Sequence, residues 1–253
     1  MIVQSCTFTV HFPKNARIRE SLFALEEHFV GFQKPFTLVP LPQEAPLDIP
    51  RIIAVTNQHH SQLIFTGNSA QLVTTFDENY NMDISKCIAY VQSKCDSIIA
   101  ALKVIGSESD GKPKFYFSGL SISLLFDHTD GIDNPIQYVS EKFLNCHSNL
   151  LIDEYQLRLA FVVDNEFYVN VMVQNHRQFA NGPDERGSFA NSEGHQDFLQ
   201  VIMDINDRYA FNHTSGYLSS EESVNKVIHL AEVFSKTHIN QFIKDGELEY
   251  ADN

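Results

Sequence analysis

Residues 2–12 alternate apolar and polar positions, placing Cys6, Phe8, Val10 and Phe12 on one side of an extended chain. That period of two predicts a half-buried strand. Asn15 then stands where a helix cap belongs, and Ile18, Leu22, Leu25 and Phe29 form one helical stripe ending at Gly31. The next stretch, KPFTLVPLPQEAPLDIP, holds five of the nine prolines and is expected to be extended and irregular. Short strands are predicted near 51–56, 61–66 and 70–76, with Gly67-Asn68 as the turn between the last two. Asp83 opens a long helix, with Ile84, Cys87, Ile88, Val91, Cys95, Ile98, Leu102 and Ile105 on one face and Gly106 at its end.

The same order then returns. Leu120, Ile122, Leu124 and Phe126 predict a strand, and Asn134-Pro135 is a cap followed by the favoured first helical residue, opening a helix through Ile136, Val139 and Phe143. Strands over 155–163 and 166–174 flank Asp164-Asn165, and a third runs from Phe198 to Ile205. Ser219 and Glu222 fit a capping box for a closing helix bearing Val224, Val227, Ile228, Ala231, Phe234 and His238. The fold class expected is α+β: two similar β-α-β-β-β-α halves, antiparallel sheets with helices packed on one face. The halves span 1–106 and 114–253, with 107–113 as linker. Whether their sheets join side by side or face each other is left open.

Twenty phenylalanines and 43% hydrophobic residues allow a packed core across these elements. The N-terminus reads as a strand rather than a leader, and no apolar run approaches the roughly 18 residues that span a bilayer. Cys6, Cys87, Cys95 and Cys146 form no CxxC pair and read as reduced, mostly buried thiols of a cytoplasmic protein. The net charge of −14 is uneven: residues 1–111 carry 11 acids and 8 bases, and the remainder 21 and 10. Such a field repels phosphate backbones and argues against nucleic-acid binding. It suits either solubility or attraction to a basic partner protein.

Candidate chemistry changes this picture little. GSESDGKP, residues 106–113, looks like most of a phosphate-binding loop, yet it follows a helix and precedes a strand. A phosphate cradle needs the reverse order. Pro113 also occupies the magnesium-binding position, so the segment reads as a hinge. GLSIS at 119–123 resembles a nucleophile elbow but lies within a strand and reads as core. His59 and His60 point apart on extended backbone, and a metal site sketched from His176, His195, Asp197, Asp204, Asp207 and His213 lacks fixed spacing. No catalytic residue, metal or cofactor is assigned.

The segment HRQFANGPDERGSFANSEGHQ, twenty-one residues, stands out as a long loop between two strands. His176, Arg177, Arg186 and His195 are its candidate binding groups, the arginines suited to clamping an anion.

Three further stretches carry a resemblance: LIFTGNSAQLVTTFDENYNMDISKCIAYV, FLQVIMDIND and VIHLAEVFSKTHINQFI. They are similar to a sporadically distributed bacterial family of uncharacterised function. The resemblance implies a cytoplasmic bacterial protein, with carriage on mobile DNA as an option, and transfers no catalytic residues. Three functions fit these readings. The first is a non-catalytic interaction or regulatory protein that contacts its partner through the 176–195 loop, the proline-rich 35–50 segment or the acidic second half. The second is a small-anion-binding module or enzyme with a pocket between the halves. The third is an acidic DNA mimic.

Overall fold

The computed structural model describes residues 1–42, 44–105, 115–144, 150, 152–182, 188, 194–248 and 250. The hinge 106–113, Cys146 and Arg186 lie outside the described residues.

The alternating segments all join one nine-stranded antiparallel sheet in the order β2-β3-β4-β5-β1-β6-β9-β8-β7. Its strands are β1 (Ile2–His11), β2 (Thr37–Leu38), β3 (Ile52–Val55), β4 (Ser61–Phe65) and β5 (Ser69–Thr75), then β6 (Phe117–Phe126), β7 (Gln156–Val163), β8 (Phe167–Phe179) and β9 (His195–Asn206). The central seam is β1 against β6, with Phe8 opposite Leu120 and Thr9 opposite Gly119. The strands on either side of that seam thus form one continuous sheet rather than two sheets face to face.

One face of the sheet is sealed by helices. Val3, Cys6, Phe8 and Val10 of β1, Leu120, Ile122 and Leu124 of β6, and Leu199, Val201, Met203 and Ile205 of β9 are buried there. Over them lie α1 (Leu22–His28), α2 (Ile84–Ile105), α3 (Pro135–Val139), α5 (Glu221–Val233) and α6 (Ile239–Asp245). The helical stripes meet this layer: Cys87, Val91, Cys95 and Ile98 on α2 and Val227 and Ala231 on α5 are fully buried. The Asn134 cap acts as composition suggested, its Oδ1 accepting the Gln137 N–H ahead of Pro135. Asn15 does not cap a helix: its Oδ1 accepts the Arg17 N–H in a local turn, and a 3-10 turn at Ile18–Ser21 leads into α1. Asp164 and Asn165 take φ of 53° and 52°, the left-handed pair that a two-residue hairpin turn demands.

Four further expectations change. The closing helix is capped by Ser220, whose hydroxyl accepts the Ser223 N–H at 3.2 Å; Ser219 is instead buried, its N–H donating to the Phe115 carbonyl. That helix is also interrupted, α5 passing through a π turn at Phe234–His238 into α6. The long loop is shorter than predicted, because pairing of β8 with β9 runs out to Phe179 opposite His195. Polar side chains hid the strand ends. Finally, helices do not all occupy one face: the short α4 (Arg208–His213) turns back to the other side, where Phe211 meets Phe117 and Tyr209 meets Tyr168. Among the described residues no helix is long and apolar enough to cross a membrane.

Candidate binding groove

Strand geometry decides what the second face of the sheet presents. Because side chains alternate, every buried Val or Leu on the central strands leaves its neighbours pointing away from the helices. On β1 those neighbours are Thr7, Thr9 and His11; on β6 they are Phe117, Gly119 and Ser121; on β9 they are Ile202, Asp204 and Asn206. Registers line them up in rows, Thr9-Gly119-Asn206 and Thr7-Ser121-Asp204. A depression of about 460 Å³ lies over these rows. The expectation that GLSIS is core therefore holds for Leu120, Ile122 and the buried Ser123, but not for Gly119 and Ser121.

The depression has a wall on either side. One is the proline-rich segment, held by backbone acceptors: Arg51 Nη2 donates to the carbonyls of Ala45 (2.6 Å) and Pro46 (3.1 Å), and Arg19 Nη1 to that of Leu41 (2.9 Å). The Gly67 N–H donates to the Leu47 carbonyl at 2.7 Å, and a Cβ at Gly67 would come within 2.7 Å of the Leu47 side chain. Asp48 and Pro50 consequently border the groove. The other wall starts at Phe117, sandwiched by His11 at 4.2 Å and the Arg208 guanidinium at 5.4 Å. The floor stays deep because Gly119 has no side chain: a Cβ there would lie 2.9 Å from Asn206 Cβ.

Asp204 is the charged centre. Its Oδ2 accepts from Asn170 Nδ2 at 3.0 Å and Asn206 Nδ2 at 2.9 Å. Burial pushes its pKa up, while those two amides and the charges of Arg158 and Arg208 pull the other way. His11 titrates below the ordinary histidine range, because it is buried and because Arg208 is near, so at neutral pH it is an uncharged ring. Thr7, Thr9, Ser121 and Gln71 also line the groove. Their side chains have no hydrogen-bond partner among the described residues. Farther along the same face a ladder of amides crosses the strands. Gln156 donates to Gln174 at 3.1 Å, Gln174 to Gln200 at 2.5 Å, and Gln200 to Gln4 at 2.9 Å. There the polar groups satisfy one another; in the groove they do not.

The residues expected to bind sit elsewhere. Arg177 donates through Nε to Asp197 at 2.9 Å and through Nη1 to Asp153 at 3.3 Å. His195 Nε2 lies 3.5 Å from the second oxygen of Asp197. Arg177 and His195 are thus brought together around a carboxylate, whereas His176 points to the opposite face beside Phe198. From His195 to Asp204 is nine residues along β9, about 30 Å at strand rise. His59 contacts Gln33 and His60 contacts Asp77, separate neighbours for the two rings. Among the described residues no group of three or more His, Cys, Asp or Glu side chains could hold a metal ion.

Thr7, Thr9, Ser121, Asp204 and Asn206 had only a faint signal in the sequence, namely the polar members of otherwise apolar strands. Small hydroxyls in that position are ordinary on any solvated sheet face. No protein-family model matches the chain, and no curated protein matches it.

Proposed function

We propose that this chain is a non-catalytic binding module whose ligand occupies the groove over β1, β6 and β9. The observation that carries the reading is the set of Thr7, Thr9, Ser121 and Gln71 side chains, without a hydrogen-bond partner among the described residues, that share with Asp204 a recess of about 460 Å³, a size suited to a small ligand. These half-buried groups have no partner of their own in the fold and are free to exchange water for a ligand. None of the hydroxyls of Thr7, Thr9 and Ser121 is hydrogen-bonded to a histidine or carboxylate among the described residues, which favours binding over acyl transfer. A reading as an interaction or regulatory protein with a basic partner is kept second, supported by the net charge of −14. An anion clamp at Arg177 is less favoured, since two carboxylates already hold that guanidinium.

We keep with this the reading of two copies of one β-α-β-β-β-α plan, which the strand order on either side of the β1–β6 seam supports. The location in the bacterial cytoplasm and the family resemblance likewise stand as proposals.

Equilibrium dialysis against a fractionated small-molecule cell extract, read by mass spectrometry, tests the groove. The wild-type protein is expected to retain a compound that Ser121→Phe, a strand-compatible filling of the floor, does not retain. Equal retention by both proteins, or retention by neither, would count against the reading.

A further inference from the structure

Resting on that reading, we infer that the groove recognises a small polyhydroxylated amine, its ammonium group against Asp204 and its hydroxyls on Thr7, Thr9, Ser121 and Gln71. The argument begins with the two oxygens of Asp204. Both neighbouring amides, Asn170 and Asn206, donate to Oδ2. Among the described residues Oδ1 has no donor, although Asp204 lines the recess. A carboxylate oriented by two amides and open on one oxygen is an acceptor poised for a charged donor. Two cations act on Asp204, Arg158 and Arg208, and neither forms an ion pair with it among the described residues. Arg208 lies over the Phe117 ring and forms no ion pair with Asp204 or Asp48 among the described residues.

Charge sets the sign of the ligand. Asp48 and Asp204 contribute two carboxylates to the lining, Arg208 one guanidinium, and His11 is neutral. The lining itself keeps a negative balance within a chain of net charge −14, Arg158 acting on Asp204 from outside the lining, and this favours cations over anions. A simple aliphatic cation would leave the floor unused. Thr7, Thr9 and Ser121 each offer a hydroxyl that both donates and accepts, and Gln71 offers both halves of an amide. Reciprocal donor–acceptor groups spaced along adjacent strands match a ligand carrying several hydroxyls. About 460 Å³ accommodates a single sugar-sized ring with room for bridging water.

Calorimetric titration of the full chain with glucosamine and with glucose tests this. The expected result is saturable glucosamine binding at least tenfold tighter than that of glucose. Asp204→Asn should erase the preference while leaving the melting temperature unchanged or higher, because an amide oxygen can still accept from Asn170 and Asn206 and no buried charge remains. If that variant does not fold, Thr7→Val with Ser121→Ala should weaken glucosamine binding at least tenfold instead. Equal affinity for the two sugars, no saturable heat with either, or a preference that survives the substitutions would overturn the proposal. If glucosamine fails but an extract compound is still retained by wild type and lost in Ser121→Phe, the groove remains a binding site and only this ligand class is wrong.

Discussion

Ile98→Asp and Val227→Asp are each expected to destabilise the protein by about 4 kcal/mol or more, enough to unfold a domain of ordinary stability. Both side chains have no exposed surface. Ile98 lies on α2, which packs over β1 and β5, and Val227 on α5, which packs over β6 and β9. A carboxylate placed in either layer would meet only apolar side chains, so it must either protonate or drag the helix from the sheet. The effect should appear as a collapse of the thermal transition in circular dichroism. Ser93→Asp, on the exposed side of α2, is the control and should change stability by no more than about 0.5 kcal/mol. A shift of a degree or two for Ile98→Asp would mean that the helix presents a different face.

Asp207→Ala is the second large effect, expected at about 3 kcal/mol. Asp207 is fully buried just after β9 and ties three segments together. Its carboxylate accepts the Ser118 N–H at 2.6 Å and the Tyr217 hydroxyl at 2.9 Å, and Ser219 adds a third bond. Removing it strands the Ser118 amide at the seam end of β6, since Tyr217 can fall back on Ser223 but the amide cannot turn. Asp207→Asn should recover most of the loss, because one oxygen still serves Ser118. The pair also has a pH signature. Burial raises the Asp207 pKa, with the bonds from Ser219, Ser118 and Tyr217 opposing it. The folded state therefore holds this proton more tightly than the unfolded chain does. Its contribution to stability is complete below the unfolded pKa and falls as pH rises to the folded value. Wild type should accordingly lose ground to Asp207→Asn between those two values in urea titrations run at successive pH. An unchanging difference would show that the carboxyl is not desolvated.

The elements were legible because their signals are local. Phe8 and Val10 two apart, or Val91, Cys95 and Ile98 at helical spacing, disclose a strand and a helix without reference to anything distant. What joins them is not local. Nothing near Thr9 indicates that Gly119, more than a hundred positions on, will be its cross-strand partner. The length of the hairpin is hidden for a related reason. Gln178 and Gln196 look like loop residues, yet they face each other as the last rungs of a ladder. The short helix α4 escaped notice because its aromatics serve the sheet's second face rather than the core.

The groove illustrates the same limit in chemical terms. Threonine and serine at every second position read as the wet side of a strand, and only the assembled sheet reveals that the proline-rich segment and Phe117 wall them in. By contrast, Arg177 and His195 are conspicuous as cationic or switchable groups in an acidic half, and the structure sets both beside Asp197. A charged residue is conspicuous in a sequence whether or not its partner is already in the chain.

Peptide-resolved hydrogen exchange, with and without the retained extract fraction, tests the central claim most directly. If the groove binds the ligand, protection should rise over Thr7–His11, Phe117–Ser121 and Ile202–Asn206, the segments that form its floor and one wall. Protection confined to the hairpin around Arg177 and His195, or no change in any of these strands, would contradict it.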